Sequence, residues 1–305
     1  MIYTLTLNPS LDYLIEVDGF QEDSLNRTSR ERIVPGGKGI NVSLVLKELS
    51  FESVILGYKA GFTGEEIERR LREEGMKTDL IEVKEGLSRI NVKMRSQGET
   101  EINGLGPVIT EEDVERLLEK IDECQKDDVL VLSGSVPSCL PKEIYVTIMK
   151  RLEGKGVRII VDTSGKALLH TLEYHPFLIK PNDREAGEIL DTAVITKEEA
   201  LSCARKLQEL GAENILLSMG GKGAVFLDEE GNEYQCDGFC STVKNSIGAG
   251  DSMLAGFLAE YLNSHDYERA FRKAVAAGCA SAFSDDLATR EEIDTLFERI
   301  SSYKS

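Results

Sequence analysis

VLVLSGSVPSCLPKEIYVTIMKRLEGKGVRIIVD, residues 129–162, is the stretch on which the fold turns. Its two ends, VLVLSG (129–134) and VRIIVD (157–162), are short apolar runs of the kind found in strands buried on both faces. Between them, 141–152 carries apolar side chains at helical spacing. The rhythm extends in both directions. Strands are predicted at 2–7, 53–57, 79–83, 177–180 and 214–219, and helices at 39–49, 64–74, 111–123, 183–190 and 197–209. Beyond 236 the chain reads as helical, near 249–262, 266–283 and 290–299. Buried strands alternating with amphipathic helices define an α/β class: a mainly parallel sheet with helices on both faces. Four front segments break this order: 11–18, 30–35, 88–95 and 99–104 are short, alternating and partly polar. They are read as a small β-sheet lid inserted in two pieces, about 11–35 and 87–105, into one domain spanning 1–305.

The charge balance restricts the partners. With 36 basic and 54 acidic residues among 305, the net charge is −18, which argues against a broad nucleic-acid or anionic-membrane surface. Any anionic ligand must be held by a local concentration of positive charge. The opening MIYTLTLNPSLD alternates like a strand and lacks the basic start and apolar run of a secretory signal. No apolar run is long enough to span a membrane, so a cytoplasmic chain is expected. Six cysteines are scattered, and only Cys236 and Cys240 lie close together, so reduced thiols are the default.

Several function classes drop out. There is no GxxxxGK[ST] loop, no GxGxxG after a strand, no GxSxG elbow, and three dispersed histidines make no HExxH. What remains is a set of glycine-rich stretches beside polar groups. In NSIGAGDS (245–252), directly before an apolar helical run, Gly248, Ala249 and Gly250 let backbone N–H groups converge on an anion, and Asp251 stands where it could take a proton from an attacking hydroxyl. The plain alternative is a tight turn with a first-turn carboxylate. PGGKGIN (35–41) places Gly36, Gly37 and Lys38 before a helix that carries Asn41 early on, either for close approach to a ligand or as a simple loop. SMGGKG (218–223) reads equally well as a hairpin turn. In KPNDRE (180–185), Asn182 and Glu185 can form a capping box, a role compatible with holding the water shell of Mg²⁺.

Taken together, NPSLD (8–12), PGGKGIN (35–41), LSGSVP (132–137), KPNDRE (180–185), SMGGKG (218–223) and NSIGAGDSMLAGF (245–257) resemble, in order, the motifs of ribokinase-like sugar kinases, the PfkB family. TEIN (100–103) and CASAFSDDLATREEI (279–293) are most similar to the branch acting on phosphorylated ketohexoses. The resemblance implies a three-layer α/β/α core with a β lid, ATP and Mg²⁺ as cofactors, and phosphoryl transfer to the C6 hydroxyl of fructose 1-phosphate. Tagatose 6-phosphate and fructose 6-phosphate are alternative acceptors. Asp12, Asn41, Gly36 and Gly37 would meet the sugar, and Arg27, Lys38 and Arg89 its phosphate. Asp251 would be the base, with Gly248, Ala249 and Gly250 as the anion hole. Lys180, Asn182, Ser218, Gly220, Gly221, Gly223 and Gly278 would serve the nucleotide, and Asn182 and Glu185 the Mg²⁺ waters. A carboxylate at a helix start is expected to stay ionised at neutral pH. A homodimer through lid strands is expected. Asn245 and Ser246 replace the Asp-Thr common in ribokinase-type members, which predicts no strong potassium requirement. Kinases of unphosphorylated sugars and a non-catalytic sensor with the same fold are the competing readings.

Overall fold

A computed structural model describes residues 1–238, 243–244 and 247–302. Cys240 and the Asn245 and Ser246 pair therefore lie outside the described residues. The strands, in chain order, are β1 (Ile2–Thr6), β2 (Ser10–Glu16), β3 (Arg30–Gly36), β4 (Val54–Ala60), β5 (Lys77–Val83), β6 (Arg89–Arg95), β7 (Glu99–Ile102), β8 (Val129–Ser133), β9 (Arg158–Asp162), β10 (Leu178–Ile179), β11 (Asn214–Ser218), β12 (Gly223–Leu227) and β13 (Glu233–Asp237). The helices are α1 (Lys38–Glu48), α2 (Gly61–Glu73), α3 (Glu111–Asp122), α4 (Ile144–Leu152), α5 (Gly165–Thr171), α6 (Asp183–Leu190), α7 (Lys197–Glu209), α8 (Ala249–Ser264), α9 (Tyr267–Phe283) and α10 (Arg290–Ser302).

Nine strands form one sheet in the order β13-β12-β11-β10-β9-β8-β1-β4-β5. All neighbours are parallel except that β12 runs against both β11 and β13. The opening 129–162 unit is β8-α4-β9, paired in parallel from Val129 to Asp162. Helix α4 begins at Ile144 rather than 141, since Pro141 and the segment around it form turns. Strand β10 has only two residues, because Pro176 and Pro181 flank it and proline has no N–H for a ladder. Two helical layers cover the sheet. Val129 and Val131 pack with α8 and α9 residues such as Leu254 and Ala274, while Leu130 and Leu132 pack with Leu117, Ile148 and Leu207 on the other face. A buried hydroxyl chain, Thr4 to Ser43 at 2.7 Å and Ser53 to Ser43 at 2.8 Å, fixes α1 against the sheet.

The four front segments form a separate sheet, β3-β2-β6-β7. Its registers put Leu11, Tyr13, Ile33, Ile90, Val92 and Ile102 on one face and Asp12, Asn91, Lys93 and Glu101 on the other. The second set lines the main cleft, so the alternation seen in the sequence resolves into a polar inner face and an apolar outer one. Ile33, Ile90 and Ile102 are 41%, 48% and 64% exposed on that outer face. Among the described residues no helix is long and apolar enough to cross a membrane, and Cys124, Cys139, Cys203 and Cys236 are free thiols.

Candidate active site

The chain order reverses around β1, which has β8 on one side and β4 on the other, and such a switch point opens a crevice beyond the carboxyl ends of the strands. A cleft of about 930 Å³ lies there. Thr6 and Ser133 reach it from adjacent strand ends, Lys180, Asn182 and Ser218 from further along the same edge, and the amino ends of α1 and α8 face them.

Asp251 occupies the first turn of α8 and is 5% exposed. Gly248 caps that helix at φ 76°, a left-handed conformation, and a Cβ there would stand 2.5 Å from Leu287 Cδ2, so glycine is required twice over. The first amides of a helix have no partner within it, and here they open onto the cleft beside Asp251. Asn41, from the first turn of α1, donates its Nδ2–H to Asp251 Oδ2 at 2.7 Å. Burial, reinforced by the charge of Asp162, pushes the Asp251 carboxyl above the usual carboxylate range, against the pull of Lys38, Asn41 and Lys180. The helix start alone therefore does not set its protonation, and Asp251 is a stronger base than position in the helix suggests.

Asp162 ends β9 with no solvent exposure. Its Oδ1 accepts from Lys38 Nζ at 3.1 Å and lies 3.3 Å from Lys180 Nζ, while its Oδ2 has no hydrogen-bond partner among the described residues. Burial works to raise its pKa, yet Lys180 and Lys38 hold it below the ordinary range. In return Asp162 raises the pKa of Lys38, keeping that half-buried side chain cationic. The resemblance assigns Lys38 to the acceptor phosphate, and no local sequence pattern singles out Asp162. The structure joins Lys38 with Lys180 beside Asp251, and a Cβ on Gly250 would lie 3.0 Å from Lys180 Nζ.

At the other end of the cleft Asp12 is held by three donors. Ser10 Oγ and Asn91 Nδ2 donate to Oδ1 at 2.6 and 2.9 Å, and Lys93 Nζ stands 2.6 Å from Oδ2. Gly36 lies outside the cleft lining, but a Cβ there would fall 2.4 Å from the Asp12 carboxyl, so its smallness makes room for Asp12. Arg89 lines the cleft and donates to the Asn8 carbonyl at 2.9 Å. Arg27 is exposed and does not line the cleft of its own chain. It lies in the loop joining β2 to β3 at the far end of that hairpin, whose strands run roughly 20 Å from the Ser10 and Gly36 pair.

The remaining predicted residues gather along a third side of the cleft. Asn182 caps α6, with Glu185 N–H donating to its Oδ1 at 2.8 Å and Asn182 N–H donating to Glu185 Oε2 at 2.9 Å, so the capping box forms and both side chains still face the cleft. Ser218, Gly220, Gly221, Gly223 and Gly278 line the same side, with Met253, Val275, Ala282 and Phe283 forming an apolar slot. The 218–223 stretch is the turn between antiparallel β11 and β12, so the hairpin reading holds as well. Gly278 also lets α8 and α9 close together, since its Cβ would lie 2.7 Å from Met253 Cγ.

A buried carboxylate at a helix amino end, with two lysines beside it in a cleft that has an apolar slot at one side and a polar pocket at the other, suits transfer of a phosphoryl group between two ligands. The sequence agrees over nearly its whole length: residues 5–292 match the model of the pfkB family carbohydrate kinases, and the chain belongs to that family. It is similar to the 1-phosphofructokinase of Bacillus subtilis, 46% identical over 300 residues that cover 98% of each chain. It is also similar to the D-tagatose-1-phosphate kinase of Bacillus licheniformis, 36% identical over 301 residues and 98% of each chain. Among solved structures, phosphofructokinase-2 from Escherichia coli in complex with substrates and products superposes with a TM-score of 0.93 at 27% identity, covering 98% of this chain and 99% of that one.

Proposed function

We propose that this kinase transfers the γ-phosphoryl group of ATP to the C6 hydroxyl of D-fructose 1-phosphate, giving fructose 1,6-bisphosphate and ADP. The observation that carries the reading is Asp251: buried, oriented by Asn41, at the amino end of α8 and beside Lys38 and Lys180. The hydroxyl oxygen attacks the γ-phosphorus, the bond to the β–γ bridging oxygen breaks, and the hydroxyl proton passes to Asp251. Amides of Gly248, Ala249 and Gly250, with both lysines, stabilise charge on the moving group. Comparable preorganised holes contribute roughly 3–4 kcal/mol. Asp12 and Asn41 hold sugar hydroxyls and Arg89 meets the acceptor's phosphate.

Adenine fits the apolar slot beside Gly278, and the phosphates run along Ser218, Gly220, Gly221 and Gly223 toward Lys180. Among the described residues no group of three or more His, Cys, Asp or Glu is placed to hold a metal ion directly. That donor set fits a Mg²⁺ carried on nucleotide oxygens and water, with Glu185 and Asn182 reaching its waters. When bound, Mg²⁺ supplies charge neutralisation on the phosphates. The polar inner face of the small sheet serves as a lid that limits wasteful ATP hydrolysis.

Both relatives above are named for 1-phosphates of ketohexoses, which supports an acceptor anchored at C1. Fructose and tagatose differ only at C4, so D-tagatose 1-phosphate is the second reading. A panel of fructose 1-phosphate, tagatose 1-phosphate, fructose 6-phosphate and tagatose 6-phosphate, assayed by ADP release, decides it. Fructose 1-phosphate is expected to lead in kcat/KM by at least roughly tenfold, the net scale of one hydrogen bond gained or lost. Preference for a 6-phosphate, or binding of ATP and sugar phosphate with no turnover, overturns the reading.

The exposed outer face of the lid suits a second copy of this chain, through its apolar surface rather than a free strand edge. Ile90→Glu with Ile102→Glu is expected to convert a dimer into a monomer in light scattering. An unchanged molar mass would rule out this interface.

A further inference from the structure

The lid carries a cation whose position the transfer step does not by itself require. Lys93, on the inner face of β6, sets its ammonium 2.6 Å from Asp12 Oδ2, with the two side chains only 14% and 7% exposed. Directly across the β6–β7 ladder stands Glu101, which lines the same cleft. Asp12 already has Ser10 and Asn91 to orient it, so Lys93 is not needed to fix its direction. Its effect is on charge. Arg89 and Lys93 together balance Asp12 and Glu101 at this end; without Lys93 the pocket is net negative, in a chain of net charge −18. A neutral sugar would bind to such a pocket through its hydroxyls. A sugar phosphate would be repelled by it.

We infer that Lys93 is the residue that makes the acceptor pocket select a phosphorylated sugar over a neutral one, pairing with Asp12 in the free protein and bridging Asp12 to the acceptor's phosphate, beside Arg89, when the sugar binds. The inference rests on the acceptor class proposed above. It also gives the two ends of a ketohexose different surroundings. The phosphorylated end lies under the lid on Lys93 and Arg89, and the free hydroxymethyl end is directed at Asp251.

The test uses Lys93→Met and Lys93→Arg in the full chain, with fructose 1-phosphate and with fructose at high concentration as acceptors, and inorganic phosphate as a competitive inhibitor. Lys93→Met is expected to raise KM for fructose 1-phosphate at least roughly thirtyfold and to weaken phosphate inhibition in parallel. KM for ATP should stay within about twofold and kcat/KM for fructose should hold or rise, while Lys93→Arg recovers most of the loss. An unchanged KM for fructose 1-phosphate in Lys93→Met overturns the inference alone. Equal losses with fructose and fructose 1-phosphate also overturn it, because Lys93 would then merely buttress Asp12. A wild-type protein that phosphorylates neither sugar phosphate nor fructose overturns both this inference and the acceptor reading. Should Lys93→Met lose its cooperative melting transition, Lys93→Gln carries the same comparison.

Discussion

Asp251→Asn is expected to lower kcat with fructose 1-phosphate by roughly a thousandfold or more, the upper range for losing a positioned general base, while KM for ATP changes little. Asparagine keeps the shape of the side chain and its contact with Asn41 but cannot accept the hydroxyl proton. The pH profile carries the sign. Burial and Asp162 raise the Asp251 pKa, so the acid limb of kcat/KM in the wild type lies above the range of an ordinary carboxylate. Stability responds in the opposite direction to activity. The folded state binds this proton more tightly than the unfolded chain, so the contribution of Asp251 is fully favourable below its unfolded pKa and is lost as pH rises through the folded value. Above the folded pKa the ionised, buried carboxylate is a burden. Asp251→Asn should therefore melt a few degrees higher than wild type at pH 7.5, and the gain should vanish in acid. A variant with undiminished turnover, read by ADP release, would sink the assignment of Asp251 as base.

The second large effect is on stability. Asp162→Ala removes the partner shared by Lys38 and Lys180, and Lys180, only 5% exposed, cannot turn to water. Stranding a buried cation costs about 3–5 kcal/mol, so the unfolding free energy in urea should drop by that order. Asp162 has a depressed pKa, so its stabilisation is present above the unfolded pKa and is lost as pH falls through the folded one. The gap between wild type and Asp162→Ala should accordingly close in acid. The milder Asp162→Asn adds a separate readout: with one negative charge gone and two lysines released, the acid limb set by Asp251 shifts to lower pH. A limb that stays in place would show that Asp162 does not tune the base.

The parts of the site legible in the sequence are those whose chemistry is local. Gly248, Ala249, Gly250 and Asp251 are consecutive, so one turn of one helix brings the proposed hole and the proposed base together. Asn182 and Glu185 are three apart on α6, and the capping box follows from that spacing. Asp162 gave no such signal, because it is a single carboxylate closing an apolar strand and its partner Lys38 is 124 positions away. Lys93 is equally silent, 81 positions from Asp12. Arg27 is implied by the resemblance alone, with no local pattern behind it, and it sits exposed in the loop between β2 and β3, away from the cleft of its own chain. Helix α5, only seven residues long with Gly165 at its start, was too short for periodicity to reveal.

By itself the sequence determined the alternating α/β order, the small sheet inserted in two pieces, and the helix start that carries Asp251. Each follows from side-chain periodicity or from backbone sterics acting within about a dozen residues. Only the tertiary structure decided which face of the small sheet looks into the cleft, that Lys38 joins Lys180 on Asp162, and that Asp251 is raised in basicity. Those outcomes depend on burial and on charges from distant segments, and neither exists until the sheet order brings the strand ends together.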